Sequence, residues 1–391
     1  VEFKFKEIEK ANVKNKKVIV RVCFDVPIKN GKITDDTRIK SAIPTINWLL
    51  KNGAAVILIS KLGRPEGKVV PELSLGQVTE RLSELIEKPV NFVPDCIGPK
   101  ATDATEKLKS GEVLLLENLR FHPEEEDNDP DFAQELASFG DLFVMDDFPN
   151  VKNDHAGITG ITEYLPSYAG INFAMEIKTL AGAFNEPKRP FVAVIGGAKV
   201  STKIDVLKSL IRKVDVLIIG GGMANTFLAA EGYEVGKSLY EPDFADSAIE
   251  ITRLAEDNGI ELMLPDDIVV SKSLTSGTPK IESLEEVEKN EFIVDIGPRS
   301  VSKYAEPLKF AGTIFWNGPV GVNEVPAFAK GTIAVAKIIS ESRGKSIIGG
   351  GDTVSAVSDL SLRFDFVSTG GGATLELLSG ENLPGLEALE K

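Results

Sequence analysis

The chain alternates between short apolar runs and longer amphipathic stretches. Residues 17–22 (KVIVRV), 54–60 (AAVILIS), 112–117 (EVLLLE) and 142–145 (LFVM) are apolar at nearly every position. Continuous rather than alternating apolarity predicts strands covered on both faces. Between them, 75–88 (LGQVTERLSELIEK) and 129–140 (DPDFAQELASFG) carry apolar residues at helical spacing. Gly53 and Gly140 are expected to stop helices. The pattern restarts after NEPKRP (185–190). Strands are predicted at 191–196, 214–220, 292–297, 312–316, 345–350 and 364–370, and helices at 244–259 and 328–343. Such alternation predicts α/β architecture: two doubly wound, parallel-sheet (Rossmann-like) domains. The apolar, helix-like stretch 167–184 is expected to join them.

Length and charge narrow the function. At 391 residues the chain exceeds one ordinary core. A net charge of −15 argues against nucleic acid and anionic membrane as partners, while leaving room for a local basic patch that binds small anions. The two cysteines, Cys23 and Cys96, form no CxxC or Cys/His motif, so neither a disulfide framework nor a zinc site is expected. The opening VEFKFKEIEK has no apolar signal core, and no apolar run reaches membrane-spanning length, so the expected location is the cytoplasm.

Several strands of the second half run straight into glycine: IGGAKVSTK (195–203), IGGGMANTF (219–227), IGGGDT (348–353) and STGGGATLE (368–376). Glycine lets backbone approach a ligand, and a helix starting just after offers free N–H groups to phosphate. Carboxyl ends of strands are where open α/β sheets bind ligands. With Lys199 and Lys203 in one turn and Asp352 and Thr353 in another, the set predicts a polyphosphate site. No GxGxxG occurs, because Asn225, Val354 and Leu375 stand where the third glycine would fall. Two GKS triplets (236–238, 344–346) lack the upstream glycine of a P-loop. In the first half, RVCFDVP (21–27) follows the first strand and is expected to turn Cys23 and Asp25 the same way at the sheet mouth.

These residues resemble the phosphoglycerate kinase family over essentially the whole chain. The matching motifs are ITDDTRI (33–39), LGRP (62–65), LLLENLRFHP (114–123), IGGAKVS (195–201), IGGGMA (219–224), WNGPVGV (316–322), GGGDT (349–353) and STGGGATLE (368–376). The resemblance implies a hinge-bending kinase that transfers a phosphoryl group reversibly between 1,3-bisphosphoglycerate and ADP. It implies an acceptor domain (1–168), a hinge helix (169–187), a nucleotide domain (188–375) and a C-terminal segment (376–391) returning to the first domain. Expected partners are ATP or ADP with Mg²⁺ and phosphoglycerate, and a monomer is expected.

Carried over, Lys199 and Lys203 meet the phosphates, Lys199 also stabilising the transferring group. Gly197, Ala198, Gly220, Gly221 and Gly222 line the adenosine pocket. By the same resemblance, Asn317 would lie near the phosphates and Glu324 would hold the ribose. Asp352 would hold Mg²⁺, with Thr353 beside the phosphates. Gly350, Gly351, Gly371 and Gly372 offer N–H groups to the moving phosphoryl, and Arg38 contacts it. The expected catalytic set is Arg38, Lys199, Gly351 and Gly372, and Arg38, Arg64 and Arg120 remain as acceptor cations.

Departures gather at the acceptor side. The family's RVDFNVP is RVCFDVP here, which puts Cys23 and Asp25 at acceptor-binding positions. Lys61 replaces a histidine, Asn153 replaces the phosphate-site arginine, and His155 keeps the second histidine. Asn323 stands where phenylalanine is usual. Asp25 would set a negative charge against an anionic substrate, unless it is a carboxylate paired with Arg21 or Arg38. Cys23 reads most simply as a small buried hydrophobe, Lys61 as solvated, His122 as structural, and 123–131 as a solvated loop entering a helix. The alternative reading is a scaffold of this family that binds nucleotide or another small ligand without turnover. A kinase for a different acceptor is a third reading, and a dehydrogenase a distant fourth.

Overall fold

The computed structural model describes residues 4–390. Residues 1–3 and Lys391, read above as the start of the acceptor domain and the end of the returning segment, lie outside the described residues. The chain divides into two units, 1–178 with 382–391, and 179–381.

The first unit is built on a six-stranded parallel sheet. Its strands are β1 (Lys17–Val22), β2 (Ala55–Ile59), β3 (Val90–Val93), β4 (Val113–Leu116), β5 (Leu142–Asp146) and β6 (Ser167–Ala169). The spatial order is β3-β4-β2-β1-β5-β6. β1 lies centrally, with Arg21 opposite Ile59 and Val22 opposite Asp146. Residues 23–25, 60–63 and 147–150 therefore leave the same end of three adjacent strands. Ser60 ties two of these exits, donating to Val22 O (2.7 Å) and accepting from the Phe24 N–H (3.0 Å).

Alternation along β1 sorts the two faces. Val18, Val20 and Val22 join a core with Ile46 and Leu49 of the helix Thr37–Lys51. Ile19 and Arg21 point the other way. Gly53, after that helix, has φ +78°, a left-handed position that suits glycine. Gly140 differs from a left-handed helix stop: it has ordinary φ, and a Cβ there would lie 2.7 Å from Ile19. Close approach to β1 requires glycine there.

The second unit holds β7 (Phe191–Ile195), β8 (Val216–Ile219), β9 (Glu261–Met263), β10 (Asp267–Ser271), β11 (Lys280–Ser283), β12 (Phe292–Ile296), β13 (Thr313–Asn317), β14 (Lys345–Gly349) and β15 (Phe366–Val367). A parallel sheet runs β9-β8-β7-β13-β14-β15, and a separate antiparallel sheet runs β11-β10-β12. The stretch 292–297, expected within the parallel alternation, thus belongs to the antiparallel sheet. An apolar run does not distinguish the two settings. Trp316, Phe315 and Ile314 of β13 are wholly buried at the sheet centre.

Among the described residues, no helix is long and apolar enough to cross a membrane. The segment 167–184 is β6 followed by the helix Ile171–Asn185, within which the chain passes from the first unit to the second.

Candidate functional site

In the second unit, three glycine turns pack backbone against backbone at the carboxyl ends of β7, β8 and β13. Gly196 N–H donates to Asn317 O (2.9 Å), Gly197 N–H to Pro319 O (3.1 Å) and Gly221 N–H to Val320 O (3.1 Å). A Cβ on Gly196 would fall 2.1 Å from Pro319 O, so no other residue fits. The turns floor a cleft of about 420 Å³. Gly197, Ala198, Gly221, Gly222, Asn323, Glu324 and Asp352 line it. One wall is apolar, with Leu228, Leu239, Ile293 and Val322. The antiparallel sheet supplies part of that wall, a contribution the sequence reading missed. The run DIVVS (267–271) carries no alternation that could have located it.

Lys203 caps the helix Ile204–Ile211 and reaches back into the cleft floor. Its Nζ donates to Gly196 O (2.7 Å) and Asn317 Oδ1 (3.1 Å). An ammonium has three donors, so one is left over. Asn317 is 3% exposed, and its Nδ2 is buried with no partner among the described residues. A Cβ on Gly350 would lie 3.1 Å from that same Nδ2. Two donors thus converge beside the Gly350–Gly351 turn, with Asp352 exposed in the first turn of the next helix. Thr353 is fully buried, and its Oγ1 accepts the Gly318 N–H (2.6 Å). Lys199 stands exposed on the loop after β7, and Gly371 and Gly372 open the helix Gly372–Ser379.

Burial pushes the Lys203 amine down to about 8, with Asp352 only partly offsetting it. A polyphosphate beside Lys203 favours the charged form. ADP binding at pH 8 is therefore expected to take up about half a proton, and affinity to fall as pH rises through 8. Calorimetry in buffers of different ionisation enthalpy measures this, and Lys203→Met is expected to remove the uptake.

In the first unit, the strand exits bring the acceptor-side residues together. Asp25 forms an ion pair with Lys61, its Oδ1 accepts the Gly63 N–H (2.9 Å), and its Oδ2 lies 3.4 Å from Arg38 Nη1. Arg38 also donates to Asp25 O (2.5 Å). Burial pushes the Asp25 carboxyl up, but Lys61, Gly63 and Arg38 outweigh it and hold the group below its usual range. Lys61 is 7% exposed, so it is not the solvated surface lysine the sequence allowed. Arg120 donates to Gly63 O (3.2 Å) and pairs with Glu126 (3.2 Å), and Arg64 is exposed.

His155 senses this positive field. Burial, Arg21 and Arg120 push it down to about 4, with Lys61 adding to the effect. Its Nδ1 is buried without a partner among the described residues. Asn153 donates to Asn150 Oδ1 (3.5 Å). Cys23 is 3% exposed, with its sulfur 3.9 Å from Asn150 Nδ2, and burial with Asp147 pushes the thiol up to about 12. It is a protonated, buried thiol.

Arg21 is not the partner of Asp25. It is wholly buried on the face of β1 opposite Val18, Val20 and Val22, bonded to Glu125 (2.7 Å) and Asp147 (3.0 Å). Glu125 therefore corrects the reading of 123–131 as a solvated loop: Pro123–Glu126 is a helical turn with one fully buried acid. His122 bonds Asp95 through Nε2 (3.0 Å).

A model of the phosphoglycerate kinase family matches residues 8–381. A phosphoglycerate kinase of Moorella thermoacetica is 50% identical over 378 residues, covering 96% of each chain. One from Dictyoglomus turgidum is 48% identical over 388 residues, covering 98% of each. The solved phosphoglycerate kinase of Coxiella burnetii is 40% identical with a TM-score of 0.87, and that of Pyrococcus horikoshii is 32% identical with a TM-score of 0.88. Each covers 98% of both chains. Among these matches nothing supports a non-catalytic scaffold. One parallel sheet with glycine turns and a half-buried lysine at its mouth, and another with arginines at its mouth, agree with the match over the whole length, and the chain belongs to the phosphoglycerate kinase family.

Proposed function

We propose that the second unit holds the nucleotide and the first unit the phosphoglycerate for reversible phosphoryl transfer between 1,3-bisphosphoglycerate and ADP. The observation that carries the nucleotide half is the unpartnered, buried Asn317 Nδ2 beside Lys203. A buried donor without an acceptor is costly in a folded protein, and a phosphate oxygen would relieve that cost. Gly351 adds to this. Its φ is ordinary and a Cβ would meet nothing within 4 Å, so the protein's own packing does not demand glycine. Close approach of a ligand does.

The apolar wall takes the base, and Glu324, which lines the same cleft, would meet the ribose. Lys203 and Asn317 hold phosphate oxygens, while exposed Lys199 is free to follow the group that moves. N–H groups at Gly351 and Gly372 face charge that develops in transfer. Asp352 suits Mg²⁺, which takes one or two carboxylates and completes its shell with phosphates and water. Bound there, it would neutralise phosphate charge. Arg38, Arg64 and Arg120 offer planar forks to the carboxylate and phosphate of the acceptor. Asp25 cancels one neighbouring positive charge rather than standing bare against the substrate. We place the reaction in the cytoplasm, with a monomer acting on small-molecule substrates and no nucleic acid involved.

The test is ADP release from Mg-ATP as a function of 3-phosphoglycerate. Saturable release is expected. Lys199→Met is expected to lower kcat by about 10²–10³, the usual cost of removing one charge-stabilising donor, while ADP still binds. Absence of ADP release at every acceptor level, with ATP binding confirmed, overturns the proposal. An unchanged kcat in Lys199→Met removes that residue from the mechanism.

A further inference from the structure

Asp95, Cys96 and His122 lie apart from the chemistry described above. One ligand atom from each falls within 4.8 Å of the others. Asp95 and Cys96 sit on the loop after β3, and His122 caps the helical turn Pro123–Glu126. No motif spacing announces the group, because the histidine is 26 residues from the thiol, and only the pairing of β3 with β4 brings the two loops together.

The arrangement is partly organised already. Asp95 Oδ1 accepts from the Cys96 N–H (2.8 Å) and meets His122 Nε2 at 3.0 Å. The His122 ring packs on Phe132 with centroids 5.6 Å apart, which limits its rotation. Cys96 is wholly buried, whereas the Asp95 and His122 side chains are 41% and 29% exposed. One side of the cluster is therefore accessible and the other dry. The charges acting on the thiol are those of Asp95, Glu125 and Glu117, all negative.

We propose that Asp95, Cys96 and His122 form a binding site for a borderline-soft divalent cation of the Zn²⁺ class. The donors are one carboxylate oxygen, one thiolate sulfur and one imidazole nitrogen, a set that suits Zn²⁺ or Co²⁺ and disfavours Mg²⁺. Three protein ligands leave a fourth tetrahedral position for water. Ligand atoms in such a site stand closer together than 4.8 Å, so binding draws the two loops inward. The Cys96 thiol loses its proton to solvent as the metal–sulfur bond forms, and His122 moves its single ring proton to Nδ1. The cation fixes the start of the helical turn whose Glu125 and Glu126 bind Arg21 and Arg120. The site is structural and adjoins the acceptor arginines.

The test is titration of the metal-stripped chain with Co²⁺. Expected are saturation at one ion per chain, tetrahedral ligand-field bands in the visible, and a thiolate-to-metal charge-transfer band in the near ultraviolet. Zn²⁺ is expected to bleach the spectrum, and excess Mg²⁺ to leave it unchanged. Cys23→Ser should preserve the charge-transfer band and Cys96→Ser should abolish it. His122→Asn, at a half-exposed ring, should keep the fold by circular dichroism. It should lose at least the roughly 10- to 100-fold in affinity that follows loss of even an outer-shell partner. Zn²⁺ should raise the melting temperature of the unaltered chain and not that of His122→Asn. Absence of the charge-transfer band, its persistence in Cys96→Ser, or unchanged affinity in His122→Asn overturns the proposal.

Discussion

Lys61→Met is expected to raise the 3-phosphoglycerate KM by about one to two orders of magnitude, and Asp25→Asn in the same chain to return most of that loss. The Lys61 amino group is nearly buried and paired with Asp25. Removing it leaves a partly buried carboxylate held by Gly63 N–H and Arg38 alone. Two charges ~4 Å apart at an effective dielectric near 20 interact by about 4 kcal/mol, an upper figure for the repulsion an anionic acceptor would meet. Arg38 would also be drawn more strongly to Asp25 and away from substrate. About 1.4 kcal/mol of net penalty is a tenfold change. The double variant is neutral at both positions, so its recovery separates charge from shape. Initial rates for the four proteins form a double-mutant cycle. A KM in Lys61→Met that Asp25→Asn does not improve would show that the lysine acts on substrate directly rather than through Asp25.

Glu125→Ala is expected to destabilise the first unit by about 3–5 kcal/mol. Arg21 is wholly buried and its charge is balanced by Glu125 and Asp147 together. Taking away Glu125 leaves a guanidinium with half its compensation, and also orphans the Gly157 N–H that Glu125 accepts (2.8 Å). A Cβ on Gly157 would lie 2.9 Å from Arg21 Nη1, so the site has no room to rearrange around a missing acid. Arg21→Met with Glu125→Gln and Asp147→Asn removes all three charges while keeping amide oxygens at the bonded positions. That triple change is expected to cost much less, because a buried pair barely repays its desolvation. Trp48 lies in the first unit and Trp316 in the second, and no other tryptophan exists. In a Trp316→Phe background, Trp48 fluorescence during denaturant unfolding follows the first unit alone. A single variant no less stable than the triple would contradict the account of the buried network.

What the sequence made legible follows from what periodicity encodes. The apolar runs located the central strands of both parallel sheets to within a residue or two, since a strand buried on both faces has few polar positions to blur it. The glycine turns around 196, 221 and 350 were visible because backbone crowding and positive φ exclude other residues. Lys203 could be singled out by its place after such a turn. Long-range pairing was not legible. Asp25 and Lys61 meet because β1 and β2 are parallel neighbours ending together, a fact of register rather than of local pattern. Arg21 and Glu125 are 104 residues apart, and EEE in an acidic run gives no sign that its middle member is buried. Gly140 follows the helix end at Ser138 as expected, but what requires glycine there is close approach to β1, and composition does not report what stands opposite. The antiparallel sheet escaped notice for the same reason, its apolar run at 292–296 being indistinguishable from a parallel strand.

The central claim is that the acceptor cleft remains basic and competent with Asp25 tied to Lys61. Calorimetric titration of the nucleotide-free chain with 3-phosphoglycerate tests it most directly. The account predicts saturable binding of one molecule per chain, weakening as salt screens the cations. It also predicts no loss of affinity between pH 7.5 and 5.5 from His155, since a ring pushed down to about 4 stays neutral throughout that interval. No detectable binding at low salt, in a chain that still binds ADP, would mean that the carboxylate of Asp25 governs the cleft and would contradict the account.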